Sequence, residues 1–356
     1  MTVRKSFSIF LCIVILTVMG LLFFSIDSST IGVLRHADPK LLFAAAVLVV
    51  CVWLLDSFKF ITLARAAGEK LTLRQTLAVI WINYFGSAIT PMQSGGGPFQ
   101  IYLLYRHGVS VGKSVAITLV RTMQILFLLA LVVPFSILYE PDFLGHHVVL
   151  KWFVVYVVLF MTAAVLLMFV SVLRPQWIKK GSNWCLVKLK RFGILNPGRL
   201  LCNVRKVNRE IDNYGTDIRL FLSTGRVWFL LSIVFAVLHL WVYMSIMPCL
   251  IAAVGFEVRY MQCMLAESLF LFLLYFVPTP GASGAAEGGA AAVLGLFVPW
   301  NLAGVLAVAW RLISEYTGVA LGTAVAVKLI GWGSVDRVMR EEDESFTDTE
   351  NRRENK

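Results

Sequence analysis

Arg121 and Arg311 each lie deep in a run of apolar residues. An ionisable side chain in such a place is costly unless it faces a cavity or a partner. A guanidinium is a planar fork of donors that fits phosphate oxygens, so two arginines facing one chamber would make it electropositive and suited to a phosphate. Carboxylates accompany them. Glu315 follows Arg311 by four residues, close enough on one helical face to pair. Glu267 and Glu287 lie on either side of a glycine-rich break, where each has three possible uses: receiving a cationic headgroup, carrying a proton, or neutralising an arginine. Asp56 and Lys59, three apart in an earlier apolar run, are either a pair near the end of their helix or members of the same site. Gln124 follows Arg121 by three.

Two stretches break the apolar pattern. TPMQSG begins at Thr90 and runs into Gly96, Gly97 and Pro98, while TPGASG begins at Thr279. Aligned on these threonines, Thr-Pro-x-x-Ser-Gly occurs in both. Arg121 then falls thirty-one residues after the first threonine, and Arg311 thirty-two after the second. The apolar run 77–90 is about 21 Å of helix, too short to cross a bilayer. Pro98 suits the first turn of a new helix. Each break therefore predicts a re-entrant hairpin, two short helices around an irregular apex. Backbone without regular hydrogen bonds is tolerated at membrane depth only where protein or water covers it, which implies a protected cavity. The half-helix N-termini at the apices would point N–H groups at an anion. The candidate substrate-binding set is Thr90, Pro91, Ser94, Gly95, Gly96, Gly97, Gln100 and Arg121 from the first half. From the second it is Glu267, Thr279, Pro280, Ser283, Gly284, Glu287, Arg311 and Glu315. The bland alternative is that the glycines and prolines only kink helices for packing.

The elements that must hold these residues follow from composition. The 356 residues are 58% hydrophobic and 15% charged, far from a soluble average. Full spans are expected over 7–26, 41–64, 114–138, 148–173, 227–251 and about 301–330. The first is read as a retained span, since no small-residue cleavage site follows it. The expected fold is all-α: a polytopic integral membrane protein with about six full spans and two re-entrant broken-helix hairpins in an inverted repeat. Repeat one covers about 41–173, a basic linker 174–226, and repeat two 227–330, within a single membrane domain over 1–335. A polar tail follows over 336–356. The linker carries twelve Lys and Arg, and the connections near 65–74 and 106–113 are also basic. The positive-inside rule then puts both termini in the cytoplasm of a cell-membrane protein.

Other signals carry less. The six cysteines are scattered with no C-x-x-C pair, so neither a disulfide framework nor a zinc site is expected. GVSVGKS, starting at Gly108, is one residue short of a phosphate loop and follows a helix rather than a strand. His146 and His147, near Glu140 and Asp142, read as solvated loop residues, and His239 as a packed one. No catalytic residue, metal or cofactor is expected, and the basic segment beside a membrane does not read as a nucleic-acid site.

The stretch TPMQSGGGPFQIYLLYRHGVSVGKSVAITLVRT, the PTPGASGAAEGG segment and RLIS at Arg311 resemble the flippase-like family related to the transmembrane region of lysylphosphatidylglycerol synthases. The resemblance covers roughly residues 7–330. It implies a membrane domain that moves lipids or lipid-linked molecules between leaflets, with membrane lipids as partners. Many relatives carry G-E-P-x-R, whereas here Gly97 and Gln100 stand at the two charged places, so a different headgroup is implied. Only a polar tail follows the membrane part, which argues against lipid lysylation by this chain. The competing expectation is a membrane-embedded transferase acting on a lipid-linked donor, and a third is a scaffold docking through the basic linker.

Overall fold

The computed structural model describes residues 3–25, 28–90, 93–139, 159 and 225–330. The expected span 148–173, most of the basic linker, the tail, Pro91 and the pairs Glu140/Asp142 and His146/His147 lie outside the described residues. Among the described residues the chain is all helical, without a β-strand.

The first half contains α1 (Val3–Ser25), α2 (Ser28–Arg35), α3 (Pro39–Ala66), α4 (Leu73–Ile89), α5 (Gly96–Arg106) and α6 (Val111–Tyr139). Asp38 caps α3 by accepting from the Lys40 amide at 2.8 Å, with Pro39 opening the helix. The start of α4 is set by a capping box, in which the Thr72 and Gln75 side chains accept from each other's backbone amides. That places its start four residues before the expected 77. At 17 residues it remains, at ~26 Å, short of a full crossing.

The second half contains α7 (Arg226–Met244), α8 (Ile246–Ala253), α9 (Tyr260–Leu274), α10 (Ala285–Leu294), α11 (Trp300–Arg311) and α12 (Thr317–Val325). The expected span 227–251 is a bent pair, α7–α8. Pro248 cannot donate to the turn before it, and the helix breaks at Ser245. The span expected over 301–330 is continuous but carries two π-helical turns, Leu312–Tyr316 and Ala326–Ile330. Among the described residues, helices long and apolar enough to cross a membrane are Pro39–Ala66, Val111–Val132 and Arg226–Ala253.

The two halves clasp each other. Among the first half's helices, α4 packs on α12 of the second; α9 of the second packs on α6 of the first. Small residues permit the first contact: a Cβ on Gly322 would stand 2.0 Å from the Trp81 carbonyl oxygen, and one on Gly318 2.8 Å from the Tyr84 ring. Helix α3 lies along α7 and α8, with Phe58 and Phe235 stacked at 5.5 Å.

Contacts at the helix ends give the hairpins their directions. Lys113 and Glu69 pair at 2.6 Å, joining the approach to α4 with the start of α6, so the α4–α5 hairpin leaves on the face it entered. Gly225 touches Ala66, and Arg65 covers the Trp228 ring at 4.5 Å, placing the start of α7 on that same face. At the other end of α3, the Asp38 amide donates to the Ala253 carbonyl at 2.8 Å. Helix α9 starts seven residues beyond Ala253. Leu294, Val298 and Leu302, where the chain leaves α10, share one apolar cluster with Ile251 and Val254. The second hairpin therefore enters and leaves by the face opposite the first. The two hairpins thus run in opposite directions through the molecule.

Candidate functional site

The two breaks meet. Thr90 ends α4, donates its hydroxyl to the Gly86 carbonyl at 2.9 Å and accepts from the Gly95 amide at 2.7 Å, closing the first apex on itself. Its own carbonyl accepts from the Gly281 amide in the second break at 3.3 Å. In that break the Thr279 hydroxyl donates to the Ser283 carbonyl at 3.0 Å. Gly281 has φ +60° and a Cβ there would press on Phe10 of α1 and on Ala88, so this crossing of two backbones requires glycine. Gly95 and Gly96 are just as tight, because a Cβ on Gly96 would stand 2.2 Å from Asn83 Oδ1. Helix α1 covers the apices from outside through Phe10, which packs edge-on against Tyr316.

A buried ion network lies on either side of this junction. In the first half, Arg121 clamps Asp56 side-on: Nε donates to Oδ1 at 3.2 Å and Nη2 donates to Oδ2. Lys59, fully buried, pairs with Oδ1 of the same carboxylate at 2.8 Å. In the second half, Arg311 Nη2 donates to the Gly281 carbonyl at 2.6 Å, Nε lies 3.4 Å from Glu287, and Nη1 lies 3.7 Å from Glu315. Tyr316 donates its hydroxyl to Glu287, whose other oxygen accepts from the Gly284 amide at 2.6 Å. The π-turn Leu312–Tyr316 begins directly after Arg311, and it holds both Glu315 and Tyr316.

Both networks open onto one cavity of about 150 Å³. Asp56 and Arg121 line it from the first half and Arg311 and Glu315 from the second, together with His239, Tyr84, Tyr243 and Tyr275. Asn83, Ser87 and Gln93, from the last turns of α4 and the first apex, add amide and hydroxyl groups, and leucines complete the wall. The expected electropositive chamber is instead balanced: each arginine faces its own carboxylates, because a lone charge at this depth would have nothing to offset its desolvation.

The structure brings some of the expected residues together and separates others. Thr90, Gly95, Gly96, Thr279, Pro280 and Gly284 form the junction, with Ser94 exposed on it and the Ser283 hydroxyl buried without a hydrogen-bond partner among the described residues. Pro91 lies outside the described residues. Gln100 is turned away from the cavity and donates to the Val79 carbonyl at 3.4 Å, tying α5 to α4. Gly97 faces open room, as a Cβ there would meet only Thr118, at 3.9 Å. Helix α5 begins without a side-chain cap, whereas the start of α10 is already filled by Glu287, so the two apices are not equivalent as anion sites. Glu267 stands apart from the cavity lining. It is fully buried on α9 beside the Trp310 indole, and among the described residues no cation faces it and neither carboxyl oxygen makes a hydrogen bond of full geometry.

Several cavity residues escaped the sequence. His239, expected to be merely packed, lines the cavity while Nδ1 contacts the Val52 carbonyl at 3.3 Å. The tyrosines left no local signal, but Asn83 and Ser87, four apart just before a break, were a legible polar stripe. Gln124 reaches α7, donating to Ser232 at 2.7 Å. GVSVGKS is the α5–α6 connection, and its lysine is held by Glu69. Beside it, partial burial and the neighbouring Arg106 hold the His107 imidazole below its usual pKa.

Two comparisons bear on this arrangement. A family model described as the lysylphosphatidylglycerol synthase transmembrane region matches residues 9–322. A "UPF0104 membrane protein" of Archaeoglobus fulgidus is 26% identical over 304 residues, which cover 82% of this chain and 88% of that relative.

Proposed function

The chain belongs to the lysylphosphatidylglycerol synthase transmembrane-region family, and on that premise we propose that it moves a polar lipid, or a lipid-linked molecule, between the leaflets of the cell membrane. The headgroup occupies the cavity while its tails remain in the bilayer. Arg121 supplies donors for a phosphate, Arg311 fastens the second break beside the cavity, and rocking of one half against the other about the Thr90–Gly281 junction changes the leaflet to which the cavity opens.

The observation that carries this reading is the shared cavity: two inverted helix breaks, bonded to each other, stand beside a polar chamber whose ion pairs come from both halves. Kinks made for packing need no charges. A headgroup crossing unaided must give up its water, and a chamber of preset donors and acceptors replaces that hydration.

The test is leaflet exchange of tail-labelled fluorescent phospholipids in vesicles containing the purified chain, followed by chemical quenching of the outer leaflet. Arg121→Gln is the informative variant, because Asp56 keeps Lys59 as a partner and the fold keeps its ion pair. Exchange is expected in the wild type and slowed roughly tenfold or more in the variant, the worth of one charge-assisted contact of ~1.5–3 kcal/mol. Wild-type vesicles no faster than protein-free ones would remove the proposal. A folded variant with undiminished exchange would remove Arg121 from it.

A further inference from the structure

We infer that the cavity is built for a zwitterionic headgroup, a phosphate joined to an alkylammonium, in preference to a purely anionic one; this rests on the lipid-headgroup reading above. Within the cavity the two ion networks are not equally closed. Arg121 gives Nε and Nη2 to Asp56, but Nη1 takes no part in that clamp, and its side chain is 14% exposed. Glu315 is 13% exposed, and its contact with Arg311, at 3.7 Å, is too long for a hydrogen bond. By contrast Arg311 is 2% exposed and fastened to Gly281, and Glu287 is fully buried with both oxygens engaged. Among the described residues the cavity thus presents one accessible cation, from the first half, and one accessible anion, from the second.

The space between them is suited to the rest of such a headgroup. Tyr84, Tyr243 and Tyr275 line the same cavity as Arg121 and Glu315. Aromatic rings beside a carboxylate favour an ammonium through their negative faces. A cavity of about 150 Å³ is room for a headgroup and not for two acyl chains.

Charge balance decides against the anionic class. Arg121 and Arg311 are matched by Asp56 and Glu315 on the cavity wall, so a net-neutral headgroup leaves the chamber neutral. A headgroup with phosphate alone would bring an uncompensated charge into a low-dielectric enclosure, facing two carboxylates. The zwitterion instead places its phosphate on Arg121 and its ammonium on Glu315.

Two measurements on the full chain test this. In detergent, thermal stabilisation is titrated with short-chain phosphatidylethanolamine and with phosphatidylglycerol of the same chains; in vesicles, exchange of the tail-labelled forms of both is timed. Phosphatidylethanolamine is expected to act at roughly tenfold lower concentration, the worth of one charged hydrogen bond, and to exchange faster. Glu315→Gln is expected to bind both lipids with the preference gone. Equal or reversed preference in the wild type, binding of neither lipid, or a preference untouched by Glu315→Gln overturns the assignment. If that variant does not fold, the wild-type comparison decides alone. A preference in detergent with no exchange in vesicles would remove the transport reading and keep the headgroup assignment; exchange without preference would do the reverse.

Discussion

Arg311 divides its donors among three parts of the second half: the Gly281 carbonyl in the break, Glu287 at the start of α10, and Glu315 one turn further along its own helix. Since Gly281 also bonds Thr90, this one guanidinium supports the junction between the halves. Arg311→Ala would leave two carboxylates and a carbonyl without their cation at a site that is 2% exposed. A loss of ~3–5 kcal/mol is expected, read as a much lower melting temperature in detergent. Arg121→Gln, with Lys59 still on Asp56, should lose clearly less; equal losses would show that the networks do not differ as their geometry says. Glu267 gives the opposite expectation. A carboxyl buried at this depth without a cation is costly to ionise, and an amide of nearly the same shape carries no charge and keeps an oxygen for the Trp310 indole beside it. Glu267→Gln should therefore be at least as stable as wild type at neutral pH, and a marked drop would show that the carboxyl's own proton or charge is held in place. The sequence pointed to both arginines, because a charge in an apolar run is conspicuous. It offered Glu315 and Glu287 as partners of Arg311, but it could not point to the partner of Arg121: Asp56 is 65 residues away, and spacing carries no information about contacts between separate helices.

At the scale of elements, the breaks were legible and the bends were not. Thr-Pro followed by Ser-Gly signals an interruption through residues that fix or free the backbone. A π-turn has no such signature, so the helix after Pro299 reads as uniform even though its π-turn Leu312–Tyr316 is what aims Glu315 and Tyr316. The early start of α4 was encoded in Thr72 and Gln75, a capping box that the apolar run 77–90 drew attention away from. Glycines divide along the same line. Gly322 lets α12 sit on α4, and a methyl there would collide with backbone at 2.0 Å, whereas Gly288, inside α10, has nothing within 4 Å of its own added Cβ. Gly322→Ala should destabilise by ~1–3 kcal/mol through overpacking, and Gly288→Ala should stabilise by up to ~1 kcal/mol through helix propensity. Melting temperatures that move the same way for both would contradict this reading of the α4–α12 contact.

Across the whole molecule, inversion follows from a few bonds at the ends of α3, yet the same bonds sort charge between two faces. The face shared by the end of α3, the start of α4 and the end of α5 carries Arg65, Lys70, Arg74, Arg106, Lys113 and Arg226 against Glu69. The face where Asp38 meets Ala253 is mixed, with Arg35, Lys40 and Arg259 beside Asp38 and Glu257. Loops rich in Lys and Arg are retained on the cytoplasmic side during insertion, so the first face is expected to lie inside the cell. In a background with the native cysteines removed, Lys70→Cys should react with a membrane-impermeant maleimide only after permeabilisation, while Glu257→Cys should react in intact cells. The reversed pattern would overturn the orientation and leave the inversion standing. If instead both positions reacted from one side, the inversion itself would fail, because Lys70 and Glu257 sit at the mouths of the two hairpins. The outcome also bears on the proposed transport: alternating access needs hairpins that approach the Thr90–Gly281 meeting point from opposite faces, and hairpins entering from one face would not supply it.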